Sequence, residues 1–244
     1  MAEQEVIKHT KKIYKIWSST EHSFWHKLRE FLLEVFIIVF AVSLSIWFHN
    51  RSEHAQQQAE VRQFMLGLKS DLQHDVAEMK SDRESYEQQQ AGFTYLAALR
   101  LNQRVSRDSL NKYYNWLFNT TSLNPNNGRF EGFKASGKIG QIEDSELQND
   151  ILDLYQEDIV SLLNSTDSYI LSKRKFFDYV VMNRRRLTDS TDNVTDILAR
   201  DEGQSIAIAL SSPGQVLDRY DKCIAKARKI ISEIDEEYHL DQKD

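Results

Sequence analysis

The sequence predicts an all-α protein: a single N-terminal transmembrane helix continuing into a long helix, with an antiparallel helical bundle outside the membrane. Three observations predict it. Residues Phe31 to Phe48 read FLLEVFIIVFAVSLSIWF, an apolar run interrupted only by Glu34, Ser43 and Ser45. A helix crosses the hydrocarbon core of a bilayer with roughly 17–25 mostly apolar residues, and no other stretch of the chain comes close. The 244 residues contain only two prolines and eight glycines, so little interrupts long helices. Beyond the span, apolar residues return at three- and four-residue steps, the period of one helical face.

The flanks of the span set its direction. Lys8, Lys11, Lys12, Lys15, Lys27 and Arg29 precede it, whereas only Arg51, Arg62 and Lys69 occupy the comparable stretch after it. Excess positive charge stays on the cytoplasmic side. The expectation is therefore an inner (plasma) membrane protein with a cytoplasmic N-terminus and residues 49–244 outside, in the periplasm of a Gram-negative cell. Trp17, Trp25 and Trp47 lie where interfacial aromatics belong. A cleaved signal peptide is a competing reading, but Ile46-Trp47-Phe48-His49-Asn50 is too bulky for a small-x-small cleavage site. A buried core helix is the third reading of the same run.

Within the span, Glu34 lies in the first turn. Its carboxylate either snorkels to the interface or meets a partner helix. Ala41 and Ser45 form a small-xxx-small pair suited to close helix association. These three are the membrane-helix contact candidates. His22, His26, Glu30 and Glu34 recur at four-residue steps, a stripe able to ligate a metal or relay protons if the helix begins that early. No HExxH motif accompanies it.

The organisation read from the chain has four parts. Residues 1–30 are a basic cytoplasmic or juxtamembrane segment, 31–48 the span, 49–102 a long stalk helix, and 103–244 the remaining helices of the bundle. On the stalk, Val61, Phe64, Met65, Leu68, Leu72, Val76, Met79, Tyr86, Phe93 and Leu96 make one face. The polar stretch from Asp82 to Gln90 is a candidate bend. A short helix carries Leu110, Tyr113, Tyr114, Leu117 and Phe118, and a turn-rich loop follows from Thr120 to Gly128. A long pattern runs from Leu147 to Val181, with Asp144 or Ser145 as its cap. A shorter helix covers Thr191 to Arg200. Ser205 to Leu210 reads as strand or helix. The last helix begins near Ser212-Pro213, where proline suits a first turn, and runs through Val216, Tyr220, Ile224 and Ile234.

Charge narrows the partners. Residues 1–30 hold six Lys/Arg against four Glu, a net of +2, so the chain total of −6 leaves −8 on the remainder. An acidic body argues against nucleic acid. The basic start suits the anionic inner leaflet. Ile7, Ile13, Tyr14, Ile16 and Trp17 among its lysines suit a helix lying in the interface, although topogenic charge alone explains the lysines. The single cysteine, Cys223, excludes an intramolecular disulfide and a cysteine metal cluster. It reads as a small packing residue or as half of an intermolecular disulfide.

Two segments carry a family resemblance. The first is the span with acidic Glu34 at its start and Trp47 at its end, followed by a Glu/Gln-rich helix ending in Leu66-Gly67-Leu68-Lys69-Ser70-Asp71-Leu72. The second is Phe130-Glu131-Gly132-Phe133-Lys134-Ala135-Ser136-Gly137, leading into Ile139, Ile142, Leu147, Ile151 and Tyr155. Together they resemble a bacterial single-pass membrane family of unknown function whose members carry an aromatic-x-x-apolar-Lys-Ser-Ser-Gly-like turn before a helix. Ala135 stands here in place of the first serine. Phe48-His49-Asn50-Arg51 stands where that family has an asparagine-rich run. The resemblance implies the anchor-plus-helices layout and no activity.

The second segment also reads on physical grounds. Gly137 can take a backbone conformation closed to other residues and so end a helix, with Phe130 and Phe133 packing one turn apart. It is a structural corner or an interaction corner, with Phe130, Phe133, Lys134, Ser136 and Gly137 as candidates. Two basic triplets, Lys173-Arg174-Lys175 and Arg184-Arg185-Arg186, lie beside Phe176, Phe177 and Leu187 on a helix. They are a solvated face or a docking face for an acidic partner or lipid headgroups. His49, His54, His74 and His239 read as surface residues.

Catalytic templates fail: the sequence has no Gly-rich phosphate loop, G-x-S-x-G or paired-cysteine site. No catalytic residue, metal ligand or cofactor is assigned. The expectation is a non-enzymatic membrane anchor or accessory subunit, held in the lipid bilayer, whose outer bundle binds another envelope protein or self-associates. A ligand sensor acting through a partner is the first alternative. An envelope hydrolase or metalloprotein using the Gly128–Gly140 corner is the second.

Overall fold

In the computed structural model, residue 11 and residues 24–99, 106–188 and 192–238 are described. The chain divides into two compact units, Met1–Glu60 and Val61–Asp244. A helix without proline, α1 (Phe24–Ala97), contributes to both.

In the first unit, the apolar residues of α1 are exposed around the helix. Leu32, Leu33, Phe36, Val39, Phe40, Val42, Ile46, Trp47 and Phe48 all show large fractions of their surface. A core helix of a soluble domain hides such residues. Among the described residues this is the one helix long and apolar enough to cross a membrane. Arg51 stacks its guanidinium 5.7 Å from the Trp47 ring centroid at the end of the apolar run. The interfacial helix read around Ile7–Trp17 and the His22 end of the histidine stripe lie outside the described residues.

The second unit is built from the rest of α1 and seven further helices among the described residues. They are α2 (Arg107–Phe118), α3 (Gly128–Ala135), α4 (Ser145–Asp153), α5 (Ile159–Asn183), α6 (Val194–Leu198), α7 (Asp201–Leu210) and α8 (Gly214–Tyr238). A 3-10 turn (Lys138–Gln141) precedes α4, and a π turn (Leu154–Asp158) joins α4 to α5. No strand occurs among the described residues.

Cross-helix pairs give the directions. α8 runs antiparallel to α1, since Lys69 bonds Asp235 while Arg83 pairs with Asp221 at 2.6 Å. It also runs antiparallel to α4 and α5, with Glu146 on Lys229 at one end and Ser161 on Arg219 at the other. α5 runs parallel to α1, since Tyr86 meets Tyr169 and Phe93 meets Phe176 edge-on, with centroids 5.4 and 5.1 Å apart. The parallel pair requires the chain to travel back along α1 before α4 begins. The segment from Asn119 through α3 does this, antiparallel to α1: Thr121 reaches Asp82, Asn126 reaches Asp75, and Phe133 stacks on Phe64.

The stalk is thus the spine of the bundle, and all ten apolar residues of its predicted face are buried. They share one core with Leu147, Ile151, Leu162 and Phe176 from α4 and α5, and with Tyr220, Cys223, Ala227 and Ile230 from α8. Asp144 caps α4, its carboxylate accepting from the backbone N–H of Glu146 at 2.8 Å and of Leu147 at 3.1 Å.

Two boundaries differ from the sequence reading, and a third segment, read as strand or helix, resolves to helix. α1 passes unbroken through Asp82–Gln90 because Asp82, Tyr86 and Gln89 face the interior and find partners there. Ser205 to Leu210 lies in α7. The helix expected over Thr191 to Arg200 is confined to α6, and Ala199 and Arg200 turn the chain into α7.

Candidate functional site

A polar seam runs along α1 under the returning segment. Asp75, Asp82 and Gln89 recur every seven residues, so they share one face, and all three are buried. Asp75 accepts from Asn126 twice, from its backbone N–H at 3.1 Å and its side-chain amide at 2.7 Å. Asp82 accepts from the Thr121 hydroxyl and, at 3.1 Å, from the Tyr220 hydroxyl. Tyr86 donates to the Thr121 carbonyl at 2.8 Å, and Glu78 accepts from Asn124 N–H at 2.9 Å. A segment without helix or strand must satisfy its backbone elsewhere, and here α1 supplies the partners. Burial pushes the Asp75 and Asp82 carboxyls upward against the lowering effect of those donors.

Lys173 closes the seam. It is 3% exposed. Its ammonium donates to Gln89 Oε1 and to the Trp116 carbonyl, each at 2.7 Å, and to the Asn119 carbonyl. The two carbonyls belong to the C-terminal end of α2, where a helix favours a cation. All three acceptors are uncharged, and burial pushes the lysine down to about 7. This corrects the sequence reading: Lys173 belongs to the core and to no docking face. The missed signal was its register, since Leu162, Tyr169, Lys173, Phe176 and Val180 fall on one stripe of α5.

The remaining basic residues separate into two sets. Arg174 and Lys175 are exposed on α5. Arg184, Arg185 and Arg186 lie past the end of α5, in the turn before α6, and not on the helix where the sequence placed them. Arg184 pairs with Asp192 at 2.8 Å, and Arg186 Nε donates to the Thr188 carbonyl at 3.2 Å. Asn193 fixes this turn, accepting from Arg185 N–H at 2.6 Å.

Beside them is a groove of about 420 Å³ between α2, α5 and α6, lined by apolar residues and also by Asn111, Arg184, Asp192 and Thr195. Leu110, Tyr114 and Phe118 line it from α2 at four-residue steps, and Phe177 and Val181 line it from α5 at the same step. Phe177 and Val181 are 51% and 56% exposed.

At the Phe130–Gly137 corner the two phenylalanines pack inward, Lys134 is half-buried, and Ser136 and Gly137 are exposed. Phe130 is fully buried and stacks on Tyr155 at 4.4 Å, while Phe133 stacks on Phe64 at 3.9 Å. Lys134 lies over the Phe130 ring at 5.6 Å, and the Ser136 hydroxyl donates to the Phe133 carbonyl at 2.7 Å. Gly137 has φ 74°, and its N–H bonds the Lys134 carbonyl, ending α3 as a left-handed residue does.

In the span, Glu34 is 6% exposed whereas Ala41 and Ser45 are exposed. His49, His54 and His74 are exposed, and His239 lies outside the described residues. Cys223 is buried, and burial pushes its thiol up to about 12. Glu146, Asp150 and Glu233 bring three carboxylates together, but the Lys229 ammonium stands among them at 2.8, 2.7 and 3.2 Å. The Lys229 cation therefore offsets one of the three negative charges of the cluster.

Comparison with known proteins finds no matching family model, no matching curated protein and no matching solved structure.

Proposed function

We propose that the protein is a non-enzymatic single-pass membrane anchor or accessory subunit whose helical domain lies outside the plasma membrane and binds another envelope protein. One observation carries the reading: a stretch of α1 bears apolar side chains exposed around the helix, while the chain from Val61 onward buries most of its apolar residues in a shared core. A bilayer is the solvent that such an exposed stretch fits. The lysine-rich flank before Phe31 supports a cytoplasmic N-terminus. The groove beside α2 and α5 supports a docking role for the bundle.

Two measurements test the reading. A C-terminal alkaline phosphatase fusion is expected to be active and the matching cytoplasmic reporter silent; the reverse pattern overturns the topology. Gentle detergent extraction of the tagged protein, followed by mass determination and identification of what is retained, is expected to yield a stoichiometric envelope protein or a defined homo-oligomer. A bare monomer in every mild detergent overturns the subunit reading. Glu34→Leu tests the contribution of the span, and an unchanged assembly with this variant removes Glu34 from it.

A further inference from the structure

We propose that the groove between α2 and α5 receives one amphipathic helix of another protein, with carboxylates flanking the apolar stripe of that helix. The proposal rests on the partner-binding reading above and names the partner's chemistry. Two helices that each present apolar residues at four-residue steps form a trough suited to the ridge of a third. Tyr114, Phe177 and Val181 stand open along it, and Met182, next to Val181, is 83% exposed. Single exposed apolar residues such as Met182 are ordinary, whereas Tyr114, Phe177 and Val181 line one shared concavity.

Charge selects the occupant. The chain carries −8 after residue 30, yet from Leu171 to Leu187 the exposed charges are Arg174, Lys175, Arg184, Arg185 and Arg186 against Asp178. The α5 side of the groove is therefore positive on an acidic protein, whereas Asp192 and Asp196 lie on the α6 side. Arg174 precedes Phe177 by three residues; at the other end Arg184 follows Val181 by three but is paired with Asp192 at 2.8 Å, so the added positive charge there is that of Arg185 beside it. A helix with acidic flanks meets this border favourably and a basic one is repelled.

The test uses the full chain in phosphatidylcholine nanodiscs, with empty discs as reference. Three fluorescein-labelled 18-residue peptides are titrated by anisotropy: a leucine stripe flanked by glutamate, the same stripe flanked by lysine, and the glutamate peptide with its leucines scrambled. The first is expected to bind at least tenfold more tightly than the other two. Val181→Asp is expected to abolish that difference, and Arg174→Glu with Arg185→Glu to reverse it. All these residues are exposed, so helix content and melting should stay as in the parent, and Phe177→Ser gives a second disruption if Val181→Asp does not. Equal binding of the first two peptides, or selective binding that survives both groove variants, overturns the proposal. If an envelope partner co-extracts and is retained by Val181→Asp, the groove is wrong while the anchor reading stands. If the parent is a dimer and Val181→Asp a monomer, the occupant is a second copy and the proposal falls.

Discussion

Lys173 shows how one residue ties electrostatics to stability. Its ammonium has three acceptors and no counter-charge, so burial and not pairing dominates its titration. The folded-state value of about 7 lies below the ordinary 10.5. Between these values the unfolded chain binds a proton that the folded chain does not, so stability rises with pH through that window. The rise approaches about 1.4 kcal/mol per pH unit for one proton. Below about 7 both states are protonated and this contribution is at its least favourable. Tyr86, Tyr169 and Tyr220 are pushed upward by burial and act in the opposite sense at higher pH. The clean comparison is therefore between pH 7.5 and 8.5. Urea midpoints of the parent should rise across that interval, and those of Lys173→Met should not. A parent with no rise would place the charged form in the core without the disadvantage inferred from its burial.

At the scale of elements, the seam explains why a segment with no helix or strand lies in a fixed place. Asp75→Ala removes the acceptor for two Asn126 donors and should lower stability by about 1–3 kcal/mol. Limited proteolysis should then cut first between Asn119 and Arg129. Asp71→Ala removes only the exposed pair with Arg129 and should lower stability by less than about 1 kcal/mol. Gly203 makes a second test, because a Cβ there would meet the Ile197 carbonyl oxygen at 2.7 Å and Leu198 Cα at 3.1 Å. Gly203→Ala should destabilise the α6–α7 corner by about 1–3 kcal/mol in thermal melts. These features mark the limit of what the sequence makes legible. Helical period located the buried faces of α1, α5 and α8, and the capping aspartate and the left-handed glycine were both readable. The period could not tell a polar residue in the core from one in solvent, because that depends on a partner far along the chain. Asp82 and Gln89 therefore read as a bend, and Lys173 as surface. The groove was invisible for the same reason, since it exists only where α2 and α5 meet.

At the scale of the whole molecule, the chain combines two solutions to the same hydrophobic problem. Around Phe36 and Phe40 the apolar side chains face outward, which is stable only in lipid or against other apolar surface. From Val61 onward they face a shared core that draws on α1, α4, α5 and α8. The two solutions have different requirements, and removing one should leave the other intact. The core begins at Val61 and contains no residue of the apolar run. Residues 49–244 expressed without the span should therefore be water-soluble, strongly helical by circular dichroism and cooperative on thermal unfolding. The full chain should need detergent or lipid to stay in solution. The cooperative transition is the informative part, because loose helices are also helical by dichroism but melt gradually. A soluble fragment with a broad, non-cooperative melt would mean that the bundle depends on something before residue 49. A fragment that aggregates, and is rescued by Val181→Asp, would instead locate the exposed apolar surface at the groove, where a partner helix is expected to cover it.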